Sequence, residues 1–193
     1  MAKQEGSRVV TNEVRLSYVF LNKPQVDAAG KESYSVCVML PKSDKETAAA
    51  IRAAYKAAYA DAVVKAWGGK KAEVKDPLRD GDVVKAGQEE FKGMWFFNAK
   101  TFRKPTVIDL KTRVVATEDE IYSGMWAKLS LNLYGYNNKE SKAIGVTYSL
   151  NGVLKTKDDT DLSGRGGIAF ADIADDLGSQ DDILGFGEPE MPF

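Results

Sequence analysis

The chain contains no histidine and a single cysteine, Cys37. Without imidazole it lacks the side chain that most often serves as general base and as metal ligand. With one thiol as well, zinc sites, His-dependent triads and an internal disulfide are excluded, and a reducing, intracellular compartment is expected. A site made only of carboxylates and Mg²⁺ survives these exclusions. Long apolar runs are also missing, so no helix is expected to span a membrane. The N-terminal Met1-Ala2-Lys3-Gln4-Glu5 lacks the basic-then-apolar order of a secretory signal.

Basic side chains are absent from one stretch. From Ala171 onward there are seven acids and no base, which leaves residues 1–170 with 27 basic against 21 acidic side chains, a net of +6. A mildly basic body with an acidic tail suits a polyanionic ligand, although a charge of this size also fits an ordinary solvated surface. The apolar fraction of 44% and charged fraction of 28% are those of a soluble globular domain.

Alternation and turn residues divide the body. Val14 to Phe20 reads as a strand with Leu16, Tyr18 and Phe20 on one side, broken by Asn22-Lys23-Pro24. Ser33 to Leu40 places Tyr34, Val36, Val38 and Leu40 on one face. Ser43-Asp44-Lys45-Glu46 fits a capping box. An alanine-rich helix follows to Trp67, with Ile51, Tyr55, Ala58, Ala62 and Ala66 as its buried stripe and Gly68-Gly69 as its stop. Further strands are Met94–Lys100, Thr106–Leu110, Met125–Tyr136 and Ala143–Leu154. Aromatic-x-Gly-Met-Trp occurs twice, at Phe91–Trp95 and Tyr122–Trp126. Short alternating strands with one long helix predict a mainly β fold (α+β by content), best matched by an OB-type Greek-key β-barrel. The expected division is a domain over 1–170 and a disordered tail over 171–193.

Met125–Tyr136 carries the most chemistry. Ala127, Leu129, Leu131 and Leu133 share a core face. The opposite face has Trp126, Lys128, Ser130, Asn132, Tyr134 and Tyr136. Three large rings interleaved with a base and hydrogen-bonding groups suit single-stranded nucleic acid, in which bases stack and a lysine meets phosphate. The alternative is that the long helix or a second subunit covers the rings, so a homodimer stays open. In Met94–Lys100, composition points Phe96, Asn98 and Lys100 outward, whereas alignment of the two Gly-Met-Trp starts points Trp95 and Phe97 outward. Lys100, Phe102, Arg103 and Lys104 form a candidate phosphate-and-base loop. Asp76, Asp80 and Asp82 could hold Mg²⁺, but the segment reads first as a turn. No metal or other cofactor is expected.

The chain ends Glu188-Pro189-Glu190-Met191-Pro192-Phe193. This tip resembles that of bacterial single-stranded-DNA-binding proteins, an acidic run followed by an aliphatic residue, Pro and Phe. The resemblance implies a partner-binding peptide of Asp181, Asp182, Glu188, Glu190, Met191, Pro192 and Phe193 that recruits replication or recombination proteins. The body, roughly Arg15 to Phe170, resembles a family of phage-encoded OB-fold single-stranded-DNA-binding proteins. The likeness rests on Tyr34-Ser35-Val36 leading to Leu40-Pro41-Lys42, on Pro77-Leu78-Arg79-Asp80-Gly81-Asp82, and on Gly93 to Lys100 with Lys104-Pro105. It continues in Tyr122-Ser123-Gly124 and in Asn132 to Asn137. Asn138-Lys139-Glu140-Ser141-Lys142 departs from the glycine-containing turn of many members. The resemblance implies a non-enzymatic, sequence-independent coat for single-stranded DNA in phage replication or recombination, in the cytoplasm of an infected bacterium. Trp126, Lys128, Asn132, Tyr134, Tyr136, Trp95, Phe97, Lys100, Phe102, Arg103 and Lys104 are the expected DNA contacts. A Mg²⁺-dependent nuclease on the same barrel and a structural virion or scaffold protein are the alternatives.

Overall fold

The structure, a computed structural model, describes residues 1–27, 30–138 and 143–163. Two short strands, β1 (Lys3–Glu5) and β2 (Arg8–Val10), precede β3 (Val14–Val26) and β4 (Glu32–Pro41). Helix α1 (Lys45–Lys65), the two-residue β5 (Arg79–Asp80), the single-turn α2 (Gly81–Val84) and a 3-10 turn (Glu89–Phe91) come next. The chain continues with β6 (Met94–Thr101), β7 (Val107–Asp109), β8 (Trp126–Asn137) and β9 (Ile144–Lys157). The expected tail residues Asp181, Asp182, Glu188, Glu190, Met191, Pro192 and Phe193, and Lys139, lie outside the described residues.

Five strands close a ring. β3 pairs with β4, β4 with β6, β8 with β9 and β3 with β8, all antiparallel, and a parallel β6–β9 pairing completes it. Closure leaves the ring strands without a free edge. This mainly β ring with one long helix is the OB-like barrel that the alternation predicts. Leu16, Val38, Leu40, Ala99, Leu129 and Leu131 are fully buried inside it. β4 and β6 are apolar on their outer faces too, where Cys37, Met39, Phe91 and Phe96 form a second buried cluster.

Three local expectations are corrected. β3 runs through Asn22-Lys23-Pro24 to Val26, with its register against β4 shifting between Ser17 and Phe20 and again before Gln25. Tyr18 has φ 46°. That left-handed residue acts as a bulge and reverses the alternation, so Leu16 and Leu21 point in while Tyr18 and Phe20 stay exposed. The α1 cap is Asp44, whose carboxylate accepts from the Thr47 amide, and not Ser43. The buried stripe of α1 adds Thr47, Ala48 and Ala54, and Ala66 lies beyond the helix at its C-cap.

α1 is fixed at its C-terminal end by the tyrosine strand. Gly135 meets Ala62 so closely that a Cβ there would lie 2.1 Å from the alanine methyl. The Trp67 indole N–H donates to the Tyr136 carbonyl at 2.9 Å, and Tyr59 meets Trp67 edge-on at 5.2 Å. The helix therefore covers the Leu133–Gly135 side of β8 and leaves the rings of Tyr134 and Tyr136 41% and 38% exposed.

Candidate nucleic-acid interface

The pairing registers define which outward side chains are neighbours. Phe20 lies opposite Ser35, Ser35 opposite Lys100, and Lys100 beside Ser149, which lies opposite Asn132. One step along, Cys37 lies opposite Asn98, and Thr147 opposite Tyr134. Strand geometry thus builds a continuous exterior band across β3, β4, β6, β9 and β8.

Two contiguous recesses occupy this band. The first is lined by Tyr18, Phe20, Gln25, Ser35, Arg79 and Lys85, and the second by Lys75, Pro77, Tyr136, Gly145 and Thr147; both include Arg79 and Asn98. Together they form a trough with rings at both ends and bases along one bank, with Glu73 and Asp76 also lining the second recess. β5 and α2 supply that bank: Arg79 lies 4.3 Å from the centre of the Phe96 ring, and Lys85 5.8 Å from that of Tyr18. At the other end Tyr136 lies against Gly145, where a Cβ would come 2.8 Å from the phenol oxygen. The ring thus occupies space that only glycine leaves open.

Phe102 stands just beyond β6, 51% exposed. The Lys31 and Lys100 ammonium groups lie 3.9 and 5.3 Å from its ring centre. Two cations on one exposed ring can take a base and its flanking phosphates together. Arg103 and Lys104 follow in an exposed loop, where Lys104 reaches Glu118 at 3.5 Å.

The expected contacts therefore do not form one site. Asn132, Tyr134, Tyr136, Lys100, Phe102, Arg103 and Lys104 lie on or beside the band. Trp126 and Lys128 lie at the far end of β8; ten residues of strand separate Trp126 from Tyr136, about 33 Å. The Trp126 indole N–H donates to Asp159 at 2.7 Å, Lys157 lies 4.5 Å from a ring centre, and Arg15 reaches Asp159 at 3.5 Å. Asp159 is held below the ordinary carboxylate range, first by this indole and then by the Thr160 amide.

Phe97 belongs to the core and reaches the second recess only as part of its floor. It is 1% exposed and stacks on Tyr148 at 4.2 Å and 22°. The Tyr148 hydroxyl donates to the Pro77 carbonyl at 2.7 Å, and burial pushes its ionisation far upward. Trp95 is half-buried on the α1 side, on the opposite face of β6 from Asn98 and Lys100. Sequence reasoning missed Tyr18, Phe20, Arg79 and Lys85. Periodicity could not find them, because a bulge aims the first two and the docking of β5 and α2 places the others.

The acidic segment holds cations from the protein itself. Lys42 bridges Asp80 and Asp82 at 2.5 and 2.6 Å, and the Nε and Nη2 of Arg52 grip Asp76. Asp82 is held below the ordinary range by Lys42 first, then by the Gly93 amide. Among the described residues no group of carboxylates and thiol is arranged to bind a metal ion.

A family model described as Enterobacter phage Enc34, ssDNA-binding protein, matches residues 7–184. The chain belongs to that family. Among solved structures it is similar to the single-stranded DNA-binding protein from bacteriophage Enc34 in complex with ssDNA. Identity is 25% and the TM-score 0.69, covering 82% of this chain and 91% of that one. The same phage protein, described without ssDNA, gives 26% identity and a TM-score of 0.64 over 86% and 90% of the two chains. gp2.5, a single-stranded DNA binding protein encoded by bacteriophage T7, shares the fold at 18% identity and a TM-score of 0.58, with 83% and 97% covered. No curated protein sequence matches the chain. The family is one of phage DNA-binding proteins rather than of enzymes, and no described helix is long and apolar enough to cross a membrane.

Proposed function

We propose that this protein coats single-stranded DNA during phage DNA replication or recombination, in the cytoplasm of the infected bacterium, without sequence preference and without catalysis. The observation that carries this reading is the exterior trough, with Tyr18 and Phe20 at one end, Tyr136 at the other, and Lys75, Arg79 and Lys85 along it, with Lys100 on the neighbouring band opposite Ser35. Rings take bases, because every base has a π-face, and bases of the protein take phosphates. The family membership and the likeness to a structure described as holding ssDNA support the same reading.

Titration of oligo-dT by fluorescence anisotropy across a salt series tests it. Binding should weaken as salt rises, with a logarithmic slope of about −0.7 for each phosphate neutralised. A salt-independent or absent signal would remove the proposal, and cleavage of the oligonucleotide in Mg²⁺ would favour the nuclease instead.

The acidic C-terminal segment is proposed to recruit replication proteins. Glu188, Glu190 and the preceding aspartates offer charge to a basic groove, and Phe193 offers a ring. A labelled peptide of residues 171–193 should bind a purified replication protein of the phage or host, and Phe193→Ala should weaken that binding. Equal binding by both peptides would count against the recruiting role.

A further inference from the structure

A second recess lies outside the trough, between α1 and the start of β6. It is lined by Lys42, Lys45, Ala49, Arg52, Lys56 and Trp95, among others, and encloses about 610 Å³. Helical spacing builds its floor. Lys45, Arg52 and Lys56 are seven and four residues apart, so they rise along one face of α1 over about 16 Å. Between them sit the small exposed side chains of Ala49 and Ala53, where a solvent-facing helix would ordinarily carry long polar ones. Trp95 forms the wall, with Lys42 at 4.8 Å and Arg52 at 5.5 Å from its ring.

The two kinds of cation here differ in availability. Lys42 and Arg52 are tied to Asp80, Asp82 and Asp76, which fixes them around the indole. Lys45 and Lys56 have no ion pair among the described residues. The one guanidinium already spends its fork on Asp76, so the free donors are the ammonium groups of Lys45 and Lys56, which can meet phosphate oxygens as point charges.

We propose that this groove is a second contact for single-stranded DNA, with a base against Trp95 and flanking phosphates on Lys45 and Lys56. The inference rests on the proposed function and extends it: a strand longer than the trough continues past Asp76, which lines the trough while holding Arg52, and enters the groove along α1. The protein would then have a short-strand and a long-strand mode of binding.

The test compares wild type with Lys45→Ala/Lys56→Ala in the full chain, using oligo-dT of about 6 and about 20 nucleotides. Both lysines are exposed, and circular dichroism checks that the variant is folded. The variant should bind the short oligonucleotide as wild type does. It should bind the long one roughly tenfold more weakly, with a salt slope shallower by about 1.4. In a Trp126→Phe background, the long oligonucleotide should quench Trp95 fluorescence and the short one should not. Equal affinities and slopes for both lengths would overturn the second contact while leaving the trough intact. Failure of wild type to bind either length would instead remove the proposed function. If the variant lost affinity only for an acidic peptide, the groove would be a peptide site and the inference would fall.

Discussion

Phe91-Lys92-Gly93-Met94-Trp95 and Tyr122-Ser123-Gly124-Met125-Trp126 share one pattern and open two strands of one barrel in opposite phase. At the first, Met94 joins the outer cluster and Trp95 turns toward α1. At the second, Met125 is fully buried and Trp126 points outward. The glycines differ as well. Gly93 has φ 69°, with its amide donating to Asp82. Gly124 has φ 115°, with the Thr160 carbonyl 2.0 Å from where a Cβ would be. Phase follows from what lies behind the strand. β6 is covered outside by Phe91 and inside by Tyr148, so both faces of Phe96-Phe97 are buried. β8 is covered only inside, so its alternation stays clean.

The opposite phases of β6 and β8 are tested most directly at Phe97. If β6 had the phase of β8, Phe97 would be an exposed platform and its loss would cost DNA affinity alone. The observed phase places it in the core, and Phe97→Ala should cost about 3–5 kcal/mol of stability, read as a lowered urea midpoint. Asn98→Ala, one residue on, should change stability by no more than about 0.5 kcal/mol. Equal stabilities for the two variants would contradict the assigned phase.

Next in size are the rings of the trough and of the neighbouring band against the far tryptophan. Tyr136→Ala and Phe102→Ala should each lose one stack, about 1–3 kcal/mol, or roughly 5- to 150-fold in Kd for oligo-dT. Trp126→Ala should change that Kd by less than about threefold, because the indole is engaged by Asp159 some 33 Å of strand away. A large effect at Trp126 with none at Tyr136 would place the strand along the other end of β8. Tyr18→Ala, at a left-handed position in the trough, should weaken binding as Phe102→Ala does.

What could be read from the residues depended on how many faces of a strand are covered. Ala127, Leu129, Leu131 and Leu133 alternate with polar and aromatic neighbours, so β8 and its outward tyrosines were legible. The barrel class followed from the succession of short strands around the single alanine-rich helix, although β4, like β6, is buried on both faces from Val36 to Leu40. Phe96-Phe97 resisted, because a doubly buried strand has no period to detect. Tyr18 resisted for a backbone reason: left-handed φ at a non-glycine residue is set by tertiary pairing, not by propensity. Arg79 and Lys85 reach the trough only because β5 pairs with β6, a long-range contact that no local pattern encodes.

The smallest effect separates the two tryptophans by acid. Trp126 donates to a carboxylate, whereas Trp95 faces cations. Asp159 ionises below its ordinary value of 3.8, chiefly because the indole N–H favours the charged form. A depressed folded-state pKa means the interaction is present above the ordinary carboxylate range and is lost as pH falls through the lower, folded value. In a Trp95→Phe background, where the remaining Trp67 is buried at 3% exposure, Trp126 emission should therefore shift with a midpoint below the ordinary carboxylate value. Asp159→Asn keeps an acceptor for the indole but cannot titrate, so it should abolish the shift. A shift of the same midpoint in the asparagine variant would assign the titration to another group and detach Trp126 from Asp159.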